Sequence, residues 1–128
     1  MTAGEALLTP TRIYVNAVLG VMKQYKIKGM ANITGGGLEG NLNRTLPSNC
    51  DAVIDKTSWP RLPIFDFIQN NGPVEEDEMF RVFNMGVGYT MVVAAKDAAP
   101  IIKRLKRLGY PAHRIGEIVE GSGVVHVQ

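Results

Sequence analysis

Apolar residues recur at helical spacing through Tyr14, Val18, Val21, Met22 and Tyr25, with Asn16, Gly20, Lys23 and Gln24 on the opposite side. Thr9-Pro10 suits the entrance to this helix, whereas the β-branched and aromatic run Thr11–Val15 would move its start towards Asn16. Gly29–Ile33 reads as a short strand running into Thr34-Gly35-Gly36-Gly37, and a short helix follows from Leu38 to Thr45, closed by Pro47. Ala52–Ile54 is a second strand whose start reaches towards Cys50. Ser58–Pro63 forms a rigid turn into a helix bearing Ile64, Phe65, Phe67 and Ile68, which Asn70-Asn71-Gly72-Pro73 breaks. The acidic run Glu75–Glu78 opens another helix, where negative charge meets the positive end of the peptide dipoles. Asn84–Gly88 precedes Tyr89–Ala94, which reads as a fully buried strand. Lys96–Leu108 is a helix with an apolar line of Ala98, Ile101, Ile102, Leu105 and Leu108 and with Pro100 in its first turn. Arg114–Val119 and Val124–Val127 flank Gly121-Ser122-Gly123 and predict a terminal hairpin. Strands and helices alternate without a linker or repeat. The pattern predicts one α/β domain over residues 1–128, a mixed sheet covered by helices.

Composition narrows the class. Of 128 residues, 45% are hydrophobic and 20% charged, enough to build a core and too apolar for a disordered chain. Fourteen Lys and Arg against twelve Asp and Glu leave +2, too mild an excess to point to nucleic acid or an anionic membrane. The single Cys50 cannot make an intrachain disulfide. No apolar run approaches the roughly 20 residues of a membrane span, and the first residues lack a signal-peptide pattern. A cytoplasmic domain with neither membrane nor nucleic-acid partner is the expectation.

Two segments could carry chemistry, Thr34–Gly37 and Asn84–Gly88. Glycine permits positive φ and close approach of backbone to a ligand, and a glycine loop entering a helix presents N–H groups to an anion. Neither segment has the spacing of a Walker A loop or a dinucleotide fingerprint, so tight turns and ligand loops both remain open. Lys103, Arg104, Lys106 and Arg107 occupy the polar side of their helix and read as a solvated face. His113 and His126 have no Cys or His at metal-ligand spacing and read as surface residues; no metal site is expected. Cys50 reads as a small semi-buried residue and Trp59 as a packing anchor.

The glycine segments with their flanks resemble the C-terminal domain of phosphoribosylformylglycinamidine cyclo-ligase, also called aminoimidazole ribonucleotide synthetase. The stretches that carry the resemblance are Pro10-Thr11-Arg12-Ile13-Tyr14-Val15, Ile33–Leu38, Asn41 with Arg44 and Leu46-Pro47, Ala52–Asp55, Ser58-Trp59-Pro60, Ile64-Phe65 and Glu78–Gly88. They occur in one order from about Leu7 to the C-terminus.

The resemblance implies an α/β fold with a mixed, partly ferredoxin-like sheet. It also implies an enzyme of purine biosynthesis that uses ATP and Mg2+ to convert formylglycinamidine ribonucleotide to aminoimidazole ribonucleotide, ADP and phosphate. Phosphorylating the amide oxygen turns a poor leaving group into a good one, and an internal nitrogen then closes the ring. Such catalysis is largely positioning and charge stabilisation. The chain would be the C-terminal half of a two-domain, homodimeric enzyme. The N-terminal ATP-binding domain would be absent, leaving this half inactive by itself.

Thr34, Gly35, Gly36, Gly37, Asn84, Gly86 and Gly88 would supply donors to phosphate groups, with Arg44 and Arg81 as further candidates; Arg81 could equally pair with a nearby carboxylate. Family members commonly carry His where this chain has Asn32, which can hydrogen-bond but cannot exchange a proton at neutral pH. Gly40 and Asn43 stand where Glu and Pro are frequent, and Phe80 and Val82 where Tyr and Thr are common. The runner-up is a sibling ATP-dependent enzyme of the same two-domain design, formylglycinamidine ribonucleotide synthase or a selenophosphate or thiamine-phosphate kinase, over which the Thr11-Arg12-Ile13-Tyr14 and Ser58-Trp59-Pro60 flanks favour the cyclo-ligase. A non-catalytic binding or assembly module is the alternative from another class.

Overall fold

A computed structural model describes residues 1–128. The chain opens with a helix that the apolar pattern does not signal, α1 (Ala3–Leu7). Its cause is a reciprocal cap: Glu5 N–H donates to Thr2 Oγ1 at 3.1 Å, and Thr2 N–H donates to the Glu5 carboxylate at 2.8 Å. The hydroxyl of Thr9 donates back to the Glu5 carbonyl at 3.2 Å. Thr9-Pro10 therefore finishes α1 instead of starting the next helix. α2 (Val15–Met22) begins five residues after Pro10 and buries Ala17, Val18 and Val21.

The strands form two sheets. β1 (Ile27–Asn32) pairs antiparallel with β3 (Tyr89–Val93), with Met30 opposite Met91 and Asn32 opposite Tyr89. The mixed sheet has β2 (Cys50–Ile54) at its centre, antiparallel to β4 (Gly116–Glu120) and parallel to β5 (Val125–Val127). Two sequence expectations are corrected here. β4 and β5 form no terminal hairpin, because β2 lies between them. Gly121–Gly123 instead crosses the start of β2, and Asp51 pins the crossing by accepting from Ser122 N–H and Val124 N–H, both at 2.8 Å. β3 is only half-buried apart from Thr90, since its sheet has just two strands.

The helices fill the gaps. α3 (Gly37–Leu42) continues into a 3₁₀ turn, Asn43–Thr45. α4 (Pro63–Asn71) has Pro63 at its first position, and α5 (Glu76–Val82) has three acidic residues in its first turn. α6 (Ala95–Arg107) buries Ile101 and Leu105. Pro100 is the sixth residue of α6 and not in the first turn, so the carbonyl of Lys96 loses its helical partner. The main core joins Ile33, Leu38, Leu42, Ile54, Trp59, Phe65, Met79, Phe80 and Met85. A smaller cluster of Ala17, Val21, Ile101 and Leu105 locks α2 to α6, with Ile27, Met91 and Val93 of the β1–β3 ribbon packed against it.

Candidate functional site

The antiparallel register of β1 with β3 has a direct consequence. The end of β1 and the start of β3 are neighbours, so the segments that follow one and precede the other share one end of the ribbon. Ile33 N–H donates to the Gly88 carbonyl at 2.9 Å and ties them together. Asn32, Thr34–Gly37 and Asn84–Gly88, 47 or more residues apart in sequence, thus form a single rim. Asn32 ends β1 with an exposed side chain.

The glycines of this rim serve different ends. Gly36 and Gly37 have φ of 100° and 64°, and Gly86 has φ of 94°, all in the left-handed region that side chains oppose. A Cβ on Gly37 would also overlap the carbonyl of Phe80, which seats the start of α3 on α5. At Gly88 the space is taken by the hydroxyl end of Tyr14, whose ring lies 5.4 Å from that of Tyr89. A Cβ on Gly35, alone in the rim, would meet nothing within 4 Å and would stand in open space. Gly36, Gly37, Gly86 and Gly88 thus serve turns and close packing, while Gly35 has open space beside it.

Hydrogen bonding separates the groups further. Gly37 N–H donates to Thr34 C=O at 3.1 Å, and Gly86 N–H to Asn84 Oδ1 at 2.9 Å. The N–H groups of Gly35, Gly36 and Gly88 find no acceptor within the chain. Such donors on a glycine rim suit an anion. Met85 takes a positive φ of 52° without being glycine, and its carbonyl accepts from the indole Nε1 of Trp59 at 2.9 Å. Trp59 is thus a packing anchor that also latches the second segment.

The two arginines lie outside this rim. Arg81 is exposed on α5 and pairs with Glu78 at 3.0 Å. With Glu39, Lys56, Asp77, Phe80 and Val127 it lines a depression of about 180 Å³ that includes neither glycine segment. Arg44, on the 3₁₀ turn, is exposed and makes no ion pair or side-chain hydrogen bond.

Sequence reasoning missed three groups. Asn41, buried on α3, bonds to the backbone of the first glycine segment. Its spacing of four residues from Gly37 was the available signal, since that spacing puts both on one helix face. Arg61 bridges Asp66 at 2.7 Å, Glu76 at 2.6 Å and Gln69 at 2.6 Å, fastening the turn before α4 to α5. Burial pushes the Glu76 carboxyl up, but its bonds from Arg61 and Gln69 outweigh this and hold it below the usual range. Asp51 also takes His126 Nε2 at 2.8 Å, across 75 residues. Bonds from Val124 N–H, the His126 ring and Ser122 N–H lower the Asp51 pKa from 3.8 to about 2. The Thr57 hydroxyl and N–H likewise lower that of Asp55. No three His, Cys, Asp or Glu side chains converge as metal ligands, and no helix is long and apolar enough to cross a membrane.

The comparisons with known proteins agree with this architecture. The chain is 51% identical over 121 residues to a phosphoribosylformylglycinamidine cyclo-ligase of Geobacillus kaustophilus, covering 94% of this chain and 35% of that protein. It is 47% identical over 122 residues to one of Syntrophotalea carbinolica, covering 95% and 35%. The chain therefore spans about a third of the length of the curated relatives it matches. Among solved structures, it is similar to thiamine-monophosphate kinase from Stenotrophomonas maltophilia K279a, with a TM-score of 0.69 and 22% identity over 95% of this chain and 37% of that one. The E. coli hydrogenase maturation protein HypE gives 0.67 and 19% over 90% and 35%. At these identities the likeness shows the fold alone. The family model for AIR synthase related protein, C-terminal domain, matches residues 1–128 throughout, and the chain belongs to that family.

Proposed function

We propose that this chain is the C-terminal domain of an ATP-dependent cyclo-ligase that converts formylglycinamidine ribonucleotide to aminoimidazole ribonucleotide, ADP and phosphate. The reading rests on one observation. In a chain about half-identical to proteins bearing the cyclo-ligase name, two glycine segments meet at one end of a ribbon with the N–H groups of Gly35, Gly36 and Gly88 unpaired. Phosphate oxygens of substrate or nucleotide are the ligands these donors suit, because a preorganised backbone donor costs no reorganisation when charge arrives. Thr34 and Asn84 border the same rim, while Arg44 and Arg81 would have to reach it from outside. Asn32 would orient substrate by hydrogen bonding and leave proton transfer to other groups.

ATP, when bound, supplies the phosphoryl group that activates the amide oxygen. The residues here suit the phosphates of such a ligand through backbone N–H groups. Neither glycine segment carries a carboxylate that could hold a Mg2+ ion beside those phosphates, and no step is assigned to the metal within this chain. The remaining two-thirds of a cyclo-ligase-length protein would hold the metal and most of the nucleotide, with this domain closing one side of the cleft. In this reading the 128-residue chain by itself is inactive, and the full-length enzyme is a homodimer in the cytoplasm.

The test is ADP release, dependent on formylglycinamidine ribonucleotide, by a cyclo-ligase-length protein carrying this domain, run beside the 128-residue chain. Turnover by the long protein and none by the short one is the expected result. A folded long protein that binds ATP but never turns over this substrate would overturn the proposal.

A further inference from the structure

Asn41 and Thr90 are the only polar residues buried in this chain. A buried carboxamide is tolerated only if its hydrogen bonds are made, so its partners reveal what it is there to do. Asn41 Nδ2 lies 2.8 Å from the Gly37 carbonyl, 3.2 Å from that of Thr34 and 3.3 Å from that of Gly35. Those carbonyls can only accept, which settles the way the carboxamide faces, and its Oδ1 accepts from the Thr34 hydroxyl at 3.3 Å. Two N–H bonds are shared among three carbonyls of one loop.

The peptide plane turns this into a statement about the rim. In a trans peptide, C=O of one residue and N–H of the next share a plane and point in opposite directions; the chain has no cis bond. A Thr34 carbonyl aimed inward at Asn41 aims Gly35 N–H away from it. A Gly35 carbonyl aimed at Asn41 does the same for Gly36 N–H. These are two of the amides that find no acceptor in the chain. We infer that Asn41 is the positioning residue of the first glycine segment: its carboxamide turns two successive peptide planes so that both N–H groups face an anionic ligand. The inference rests on the reading of that segment as a phosphate-binding rim and adds the residue that orients it.

The test uses Asn41→Asp, which keeps the size but presents oxygen to three carbonyls. Thr34→Val is the second variant. It lies at an exposed position where folding is not at stake, and it removes the donor that fixes the carboxamide; Thr34→Ser restores that donor. In a cyclo-ligase-length protein, Asn41→Asp should raise KM for formylglycinamidine ribonucleotide roughly tenfold or more, with a smaller change in kcat. Thr34→Val should raise it by less, and Thr34→Ser should return it towards the parent value. A role in folding alone would reduce the amount of active enzyme and leave KM in place. In parallel, amide NMR of the ligand-free protein should show the Gly35 and Gly36 signals moved in both Asn41→Asp and Thr34→Val, and titration with inorganic phosphate should move them in the parent only. Unmoved Gly35 and Gly36 signals with an unchanged KM in both variants would overturn the positioning role. Signals that move in the variants while the parent ignores phosphate and substrate would leave Asn41 as the loop's organiser and overturn the rim as a ligand site.

Discussion

A missing side chain has three separate causes along this rim, and substitution tells them apart. Gly37→Ala forces a Cβ into the Phe80 carbonyl at a φ of 64°, so unfolding in urea should show a loss of about 3 kcal/mol or more. Gly35→Ala meets open space, and the same experiment should find it within about 1 kcal/mol of the parent. Gly35→Val is therefore a cleaner probe of ligand binding than any change at Gly36, whose φ of 100° penalises a side chain whether or not a ligand binds. Asp51 offers a test with a sign. Its carboxyl titrates at about 2 when folded against an ordinary 3.8, so the folded state binds fewer protons than the unfolded state between those values. The stabilisation is complete above about pH 4 and drains away as pH falls to about 2. Asp51→Asn should be less stable than the parent at pH 7, and the gap should narrow over that window in denaturant melts read at successive pH values. A gap independent of pH would mean that the carboxylate charge does not hold the Gly121–Val124 crossing.

Elements with a local cause were legible as they stood. The acidic start of α5, Pro63 opening α4 and the apolar line of α6 follow from dipole, φ and period, each within one turn of chain. α1 was equally legible in Thr2 and Glu5 at capping-box spacing, and attention to apolar period alone passed over it. Pro100 is the element-scale exception, sitting where α6 needs an N–H for Lys96 C=O. Pro100→Ala restores that bond on an exposed surface. It should stabilise the chain by about 1 kcal/mol or more, read as a raised thermal midpoint and slower amide exchange across Lys96–Ile101. The hairpin expectation at the C-terminus failed for a non-local reason. Two strands flanking a short glycine turn satisfy hairpin chemistry, but β2 offers both of them a partner with a buried face, Ala52 and Ile54.

At the scale of the molecule, two clusters divide the packing. The main core holds the mixed sheet, α3, α4 and α5, while α2 and α6 close on each other over the β1–β3 ribbon through four buried side chains. The smaller cluster should open first. Leu105→Ala should cost about 2–5 kcal/mol, and hydrogen exchange should then quicken in α2 and α6 well before β2; uniform loss of protection would show that the clusters unfold as one. The sequence by itself determined the class of fold, most helix boundaries within a few residues, and the identity of the two glycine segments, because caps, prolines and apolar periods act over a few residues. Tertiary structure alone decided that those segments meet, that Tyr14 fills the space at Gly88 and that Asp51 finds His126. Each of these depends on strand register and on contacts between residues that periodicity cannot pair.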